Sequence, residues 1–335
     1  MITDDLARYP EDVAYAHKFV DKLKAGLEER YADPDQTLRD FHSKMHGLLE
    51  ARFEIMPNLP PELAVGVFSG PRTFDAWVRL SNGQPNVRPD EEKDVRGCAI
   101  KLMGVEGPKM LDDEKQTQDF VLVNAPVLGI KSVKEFYDIH TAMDEGILSL
   151  VAEVLNPFDN HVRCMFMLNE AMHTCANLLE CDYWGVGAYA LGEQAVKYKL
   201  RSSRERSAVM PEAPSQDFLR ERLVADLEDG DVRFDFMVQL RTNPEQMPIE
   251  DASVRWDEEQ APFRKVAELH VASQRFDVDE RRVMAERMSF QPWHAIAEHK
   301  PLGGGQVARG IIYREMADFR RKRRGVEPYE PRPGS

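Results

Sequence analysis

Over residues 11–30, Val13, Ala16, Phe19, Val20, Leu23 and Leu27 recur at helical spacing, which predicts an amphipathic helix packed outside the main core. From about residue 50 the pattern changes. Ala51–Met56, Leu63–Phe68, Phe74–Ser81, Gly97–Met103 and Gln118–Asn124 are short runs rich in β-branched and aromatic residues. Turn-forming clusters such as Pro57-Asn58-Leu59-Pro60-Pro61 separate them, so they are expected to be strands. Residues 132–181 return to helical spacing, with Val133, Phe136, Tyr137 and His140 on one face and Cys164, Leu168, Met172, Cys175 and Leu179 on another. Strands are expected again at Ala195–Arg201, Val232–Arg241 and Val266–Ser273, with a helix near 215–228; 278–288 and 306–324 read as helices. The tail Pro328–Ser335 is expected to be disordered. No internal repeat is visible. Strands, then helices, then strands predict an α+β fold: an antiparallel β-barrel with surrounding helices. It is expected to form a single domain over residues 1–335, with an N-terminal helical arm at 1–38.

Composition narrows the partners. A chain of 335 residues with 42% hydrophobic content can bury one large core. No apolar run approaches the ~18 residues of a membrane span. The start, Met1-Ile2-Thr3-Asp4-Asp5, has no basic-then-apolar leader, and four irregularly spaced cysteines read as reduced thiols, so a cytoplasmic location is expected. A net charge of -14 argues against nucleic acid. The basic run Arg320-Arg321-Lys322-Arg323-Arg324 suits the C-terminus of a helix, with Gly325 and Pro328 as stop signals. A homo-oligomer is compatible with all of this.

Candidate chemistry sits at the two ends of the chain. Arg309-Gly310-Ile311-Ile312-Tyr313 has the form R-x-x-x-Y, and Arg320 follows seven residues later. Near the N-terminus, Arg39-Asp40-Phe41-His42-Ser43-Lys44 pairs a histidine with an arginine three residues before it. Between them lie Phe53-Glu54-Ile55, Val78-Arg79-Leu80-Ser81, Asp94-Val95-Arg96-Gly97-Cys98-Ala99-Ile100-Lys101 and Asn124-Ala125-Pro126. In order and spacing these resemble the motifs of the catalase-like haem-protein superfamily, and specifically of its short branch of small peroxidase-like proteins. The match covers about Arg39 to Phe136 and resumes at Arg309–Arg320; residues 145–300 show no clear match.

The resemblance implies haem b, with Tyr313 as the axial iron ligand and Arg309, one helical turn earlier, favouring its phenolate. It implies Arg39, Arg79 and Arg320 as partners of the two haem propionates, a task that suits the arginine fork. It places Phe41, Val123 and Phe136 against the porphyrin. His42 would be the distal acid/base, oriented by Ser81, a role that fits an imidazole with ordinary pKa ~6.5. His46 competes for that role, but the eleven-residue spacing to Phe53 favours His42. Asn124 is a further candidate at the distal face. Catalases carry a distal asparagine one position earlier, where this chain has Val123, and side chains adjacent on a strand face opposite ways. Leu128 and Gly129 stand where catalases narrow the channel with two phenylalanines, which suggests room for a bulkier substrate. The function expected is a haem-dependent peroxidase taking an organic or lipid hydroperoxide, or hydrogen peroxide, and an unknown electron donor. The alternatives are a fatty-acid hydroperoxide isomerase or dehydratase of the allene-oxide-synthase type, residual catalase, and a non-enzymatic haem-binding protein. His161, Cys164, His173, Cys175 and Cys181 form a loose group without the spacing of a zinc site. Gly303-Gly304-Gly305 lacks the Lys-Ser/Thr of a phosphate loop.

Overall fold

The computed structural model describes residues 2–156 and 161–334. Helices α1 (Ile2–Arg8) and α2 (Pro10–Arg30) lead into strands β1 (Met45–Ile55), β2 (Thr73–Asn82), β3 (Arg96–Met103) and β4 (Thr117–Val123). Helices α3 (Val133–Glu145), α4 (Ile147–Val154) and α5 (Val162–Ala171) follow, then strands β5 (Tyr183–Gly185), β6 (Ala188–Leu191) and β7 (Gln194–Ser202). Helix α6 (Phe218–Asp229), β8 (Val232–Leu240), β9 (Arg264–Val271), α7 (Asp279–Arg287), β10 (Pro301–Leu302) and α8 (Gly304–Arg324) complete the chain.

Every strand pairing is antiparallel. The order β1-β2-β3-β4-β5-β7-β8-β9 closes where β9 pairs back to β1, and β6 continues the edge of β7 beyond β5, with β10 beside it. Alternation along the strands sets what lies inside. Leu80, Cys98, Ile100, Phe120 and Leu122 point into the barrel core, together with Phe53, Phe236 and Tyr198. Ring centroids 4.6 Å apart for Phe120 and Phe236, and 5.0 Å for Phe53 and Phe236, show the interior filled with aromatic rings. A barrel of this size has room for side chains and little else. The alternate residues, including Arg79, Ser81, Gly97 and Val123, therefore face outward, toward the helices.

The antiparallel barrel with surrounding helices is the architecture expected from the sequence, with local differences. Leu63–Phe68 is not a strand. The prolines before it and Gly66, at φ 57°, turn it into a short 3-10 helix over Gly66–Phe68 that buries Val67 and Phe68 in the barrel core. The helical face through Cys164 and Leu168 ends at Ala171, so Cys175 and Leu179 lie beyond that helix. Strands β5, β6 and β10 are too short, at 3, 4 and 2 residues, to show an alternation. The tail 328–334, expected to be loose, is held: Tyr329 N donates to Arg287 O at 3.2 Å, and the Glu330 carboxylate accepts from the backbone N–H groups of Lys115 and Gln116. No helix of the described residues is long and apolar enough to cross a membrane.

Candidate active site

His42 sits in the turn before β1 at φ 59°, a left-handed conformation that costs a non-glycine residue on the order of 1 kcal/mol or more. Neighbouring groups hold it there. Its N–H donates to Gly83 O at 3.0 Å, and Arg79 Nη2 donates to its carbonyl oxygen at 2.8 Å. Its ring nitrogen Nδ1 lies 3.1 Å from Ser81 Oγ. The imidazole lies directly on the backbone of Gly97: a Cβ at that position would stand 2.5 Å from Nδ1 and 2.9 Å from Ser81 Oγ. Ser81, Gly97, Val123 and Trp184 are directly opposite one another on β2, β3, β4 and β5, so they form one row on the outer face of the barrel. Burial pushes the His42 imidazole down to about 3, and the charges of Arg79 and Arg309 add to the shift. The ring is thus neutral near pH 7. With Nδ1 beside Ser81, Nε2 is the nitrogen free to exchange a proton.

Arg309 is on α8, close enough for its charge to act on the His42 ring. Arg309 Nη2 donates to the Tyr313 hydroxyl at 3.2 Å, and Nη1 donates to Val186 O and Gln306 Oε1, each at 2.9 Å. Burial opposes the Arg309 charge, but the Tyr313 and Tyr189 hydroxyls hold its pKa above the ordinary value. A guanidinium fixed in this way anchors the Tyr313 hydroxyl. Gly310 lets α8 pack directly on Trp293, since a Cβ there would stand 2.8 Å from the indole ring.

A third group lies at the end of α8. Arg39 Nη1 is 2.9 Å and Arg320 Nη1 2.7 Å from the carboxylate of Glu286, a residue of α7. Arg79 is buried nearby. Burial, reinforced by Arg39, pulls its pKa well below the usual range, and Arg320 is pulled down to about 9 for the same reasons. Burial alone would raise the Glu286 carboxyl, but Arg39, Arg320 and Arg79 hold it at about 2. Three arginines thus face one carboxylate, and Arg79 Nε is buried without a partner. This donor set fits a group that brings further carboxylates, as the two propionates of haem would. Phe41 and Phe136 flank the site with ring centroids 6.0 Å apart, backed by Phe19 of α2, which is 5.1 Å from Phe136. The fold thus groups His42 with Ser81 and Arg79, Arg309 with Tyr313, Arg39, Arg79 and Arg320 with Glu286, and Phe41 with Phe136.

Asn124 is not part of that group. Its Oδ1 accepts from Arg96 N at 2.6 Å and its Nδ2 lies 3.1 Å from His173 Nε2, on the opposite side of the strand from Val123. Both ends of the amide are occupied by the scaffold, which corrects the expectation that it serves the distal face. His46 is likewise engaged elsewhere, with Nε2 2.7 Å from Asn82 Oδ1. The room inferred from Gly129 is also not there, because the space of a side chain at 129 is taken by Met167 of α5. The loose His/Cys group is dispersed: His161 meets Glu135 and Glu153, His173 meets Asn124, and Cys175 meets Cys181. A buried cluster of Glu114, Asp119 and His294 has the donor types of a metal site, but Lys101 Nζ sits among them, 2.7 Å from Asp119.

Sequence reasoning missed two residues of the site. Glu286 carries no motif, and only its burial among arginines marks it. Trp184 lies within the segment 145–300 that shows no clear match; it joins the row beside Val123, and its Nε1–H is buried without a partner.

No protein-family model matches the chain. A catalase-related peroxidase of Mycolicibacterium paratuberculosis is 30% identical over 183 residues, covering 50% of this chain and 55% of that protein. The chain thus spans about half the length of this curated relative. Among solved structures, a fungal catalase superposes with a TM-score of 0.68 at 18% identity over 84% of this chain and 59% of its own. A bacterial catalase gives 0.67 at 16% identity over 92% and 62%. Catalase A from Saccharomyces cerevisiae gives 0.67 at 16% identity over 88% and 65%. The chain has the catalase-like fold.

Proposed function

We propose that this catalase-like fold binds haem b between the outer row of the barrel and α8, and uses it as a peroxidase for organic or lipid hydroperoxides. Two observations carry the reading: His42 is oriented by Ser81 at 3.1 Å, and Tyr313 is bonded to Arg309 at 3.2 Å, the arginine whose charge also acts on His42. Tyr313 would hold the iron through its phenol oxygen. Arg39, Arg79 and Arg320 would bind the propionates, and Phe41 and Phe136 would pack on the ring. Haem iron supplies the centre at which a peroxide O–O bond is cleaved. The chain's own residues handle the proton. Neutral His42 accepts it at Nε2 from the inner peroxide oxygen and returns it to the outer oxygen, which leaves as alcohol or water. Ser81 keeps the ring aligned through both transfers.

Two features of the row favour an organic peroxide. Val123 offers no hydrogen bond where an asparagine would orient hydrogen peroxide, and its methyl groups accept an alkyl tail. Apolar contact is worth ~25 cal/mol per Å² before ordering costs. Trp184 brings to the row a buried indole N–H without a partner, a donor for a peroxide oxygen.

The test is the absorption spectrum of the purified chain, followed by a peroxide screen. Stoichiometric haem is expected in the wild type and its loss or changed ligation in Tyr313→Phe. Turnover of cumene and linoleate hydroperoxides should require an added reductant. Conversion of linoleate hydroperoxide without reductant would instead identify the isomerase or dehydratase. Fast oxygen evolution from hydrogen peroxide with no organic turnover would identify catalase, and haem without any turnover a binding protein.

A further inference from the structure

Cys175 and Cys181 lie with their sulfur atoms 3.2 Å apart, closer than two unbonded thiols normally pack. The spacing is imposed from several directions. The intervening segment folds into a 3-10 helix over Leu178–Glu180, in which Asn177 Oδ1 accepts from Leu179 N at 2.8 Å and Asn177 Nδ2 donates to Asp226 at 2.7 Å. The Tyr183 hydroxyl donates to Leu178 O at 2.8 Å, and Ser202 Oγ donates to Leu179 O at 2.6 Å. The two thiols are therefore held together by a rigid loop. Cys175 is 4% exposed, whereas Cys181 is half-buried. The hydrogen bond from Cys181, and the nearby charges of Arg96 and Arg206, hold the Cys175 thiol below its ordinary pKa.

We propose that Cys175 and Cys181 form a dithiol that a hydroperoxide oxidises to a disulfide, giving the protein a two-electron donor of its own. The accessible Cys181 sulfur attacks the hydroxyl-bearing oxygen of the hydroperoxide, the O–O bond breaks, and the alkoxide leaves as the alcohol by taking up the Cys181 thiol proton, so that Cys181 becomes a sulfenic acid. The Cys175 thiolate then attacks the Cys181 sulfur. The S–S bond forms, and hydroxide leaves and is protonated to water. In sum, two thiols are oxidised by two electrons, and one hydroperoxide is reduced to an alcohol and a water. The disulfide needs sulfurs ~2 Å apart, a closure of only about 1 Å from the present distance. An external thiol could reverse the reaction at Cys181 by exchange. The proposal rests on the functional reading only for the identity of the oxidant.

The experiment treats the full-length protein, as purified and reduced, with a few equivalents of cumene hydroperoxide. Remaining thiols are then blocked with iodoacetamide under denaturing conditions and the protein is digested without reductant. The expected result is loss of two of the four thiols, a 175–181 cross-linked peptide lighter by two hydrogens, and full reversal by dithiothreitol. In Cys175→Ser, Cys181 should instead be trapped as a sulfenic acid by dimedone. Full alkylation of both residues after peroxide, or oxidation of Cys181 to sulfinic acid without the cross-link in the wild type, would overturn the proposal. Thiol counting does not depend on haem turnover. A chain that turns over peroxide with both thiols intact defeats this proposal alone, and a chain that forms the disulfide without haem defeats only the functional reading.

Discussion

Replacing Gly97 by alanine tests the geometry of the distal row most directly. The backbone at 97 is ordinary strand, so the change introduces no positive-φ strain, and the whole effect comes from the added methyl group. That carbon would stand 2.5 Å from His42 Nδ1, 2.6 Å from Cε1 and 2.9 Å from Ser81 Oγ. Ordinary contact needs ~3.5 Å, so the ring must retreat by about 1 Å. A retreat of this size stretches the His42–Ser81 bond of 3.1 Å beyond hydrogen-bonding range. Misplacing a catalytic group by that distance costs roughly 100-fold in rate, and crowding a packed position costs ~1–3 kcal/mol of stability. Gly26→Ala is the control. Position 26 has nothing within 4 Å of an added Cβ and lies within α2, where alanine should stabilise by up to about 1 kcal/mol. Thermal melts, haem stoichiometry and cumene hydroperoxide turnover are measured side by side. Gly97→Ala should keep its fold and its haem while losing turnover. Wild-type turnover in a folded, haem-loaded Gly97→Ala variant would refute the placement of His42 over this strand.

Three further outcomes follow from the same geometry. His42→Ala should retain haem and slow peroxide reaction by ~100-fold or more, whereas His46→Ala, which breaks the 2.7 Å bond to Asn82, should lower stability by ~1–3 kcal/mol with its chemistry intact; the reverse pattern in stopped-flow and melting data would exchange the two roles. Val123→Asn restores an amide to the row and should raise oxygen evolution from hydrogen peroxide relative to organic turnover by about tenfold, the worth of one hydrogen bond made in the transition state; an unchanged ratio of the two assays would remove Val123 as a selectivity determinant. Burial would lower the His294 pKa, but Glu114, Asp119 and Asp113 outweigh it and Lys101, so the folded value is raised to about 9. A raised pKa stabilises the fold fully below the unfolded value of ~6.5, and that contribution, on the order of a few kcal/mol, is lost as pH climbs toward 9. The melting-temperature advantage of wild type over His294→Gln should shrink across that window, and an advantage constant from pH 6 to 9.5 would contradict it.

The elements that the sequence foretold share a physical basis. Strands β2, β3, β4, β7, β8 and β9 alternate because one face packs the barrel core and the other meets helices. That requirement acts on each residue locally and leaves a period of two. The helices at α2, α6 and α8 show their spacing for the same reason. The candidate residues were legible because the roles proposed for them, iron ligand, acid/base and propionate partner, each demand a particular side chain at a particular spacing. Other features depend on contacts between distant segments, which no local pattern carries. Leu63–Phe68 has the composition of a strand, but it becomes a 3-10 plug because two prolines and Gly66 turn it into the barrel core. Glu286 matters only because Arg39, Arg79 and Arg320 converge on it from three parts of the chain. Gly129 reads as open space until Met167 of α5 fills it. Asn124 carries the right amide for a distal site, but strand direction turns it toward Arg96 and His173 instead. Trp184 enters the row through β5, a strand of 3 residues that becomes recognisable only once β4 and β7 lie beside it. The sequence by itself determined the barrel, its helices and the kinds of side chain at the site; the closing of distant segments on one another decided which of those side chains face each other and which are tied up in the scaffold.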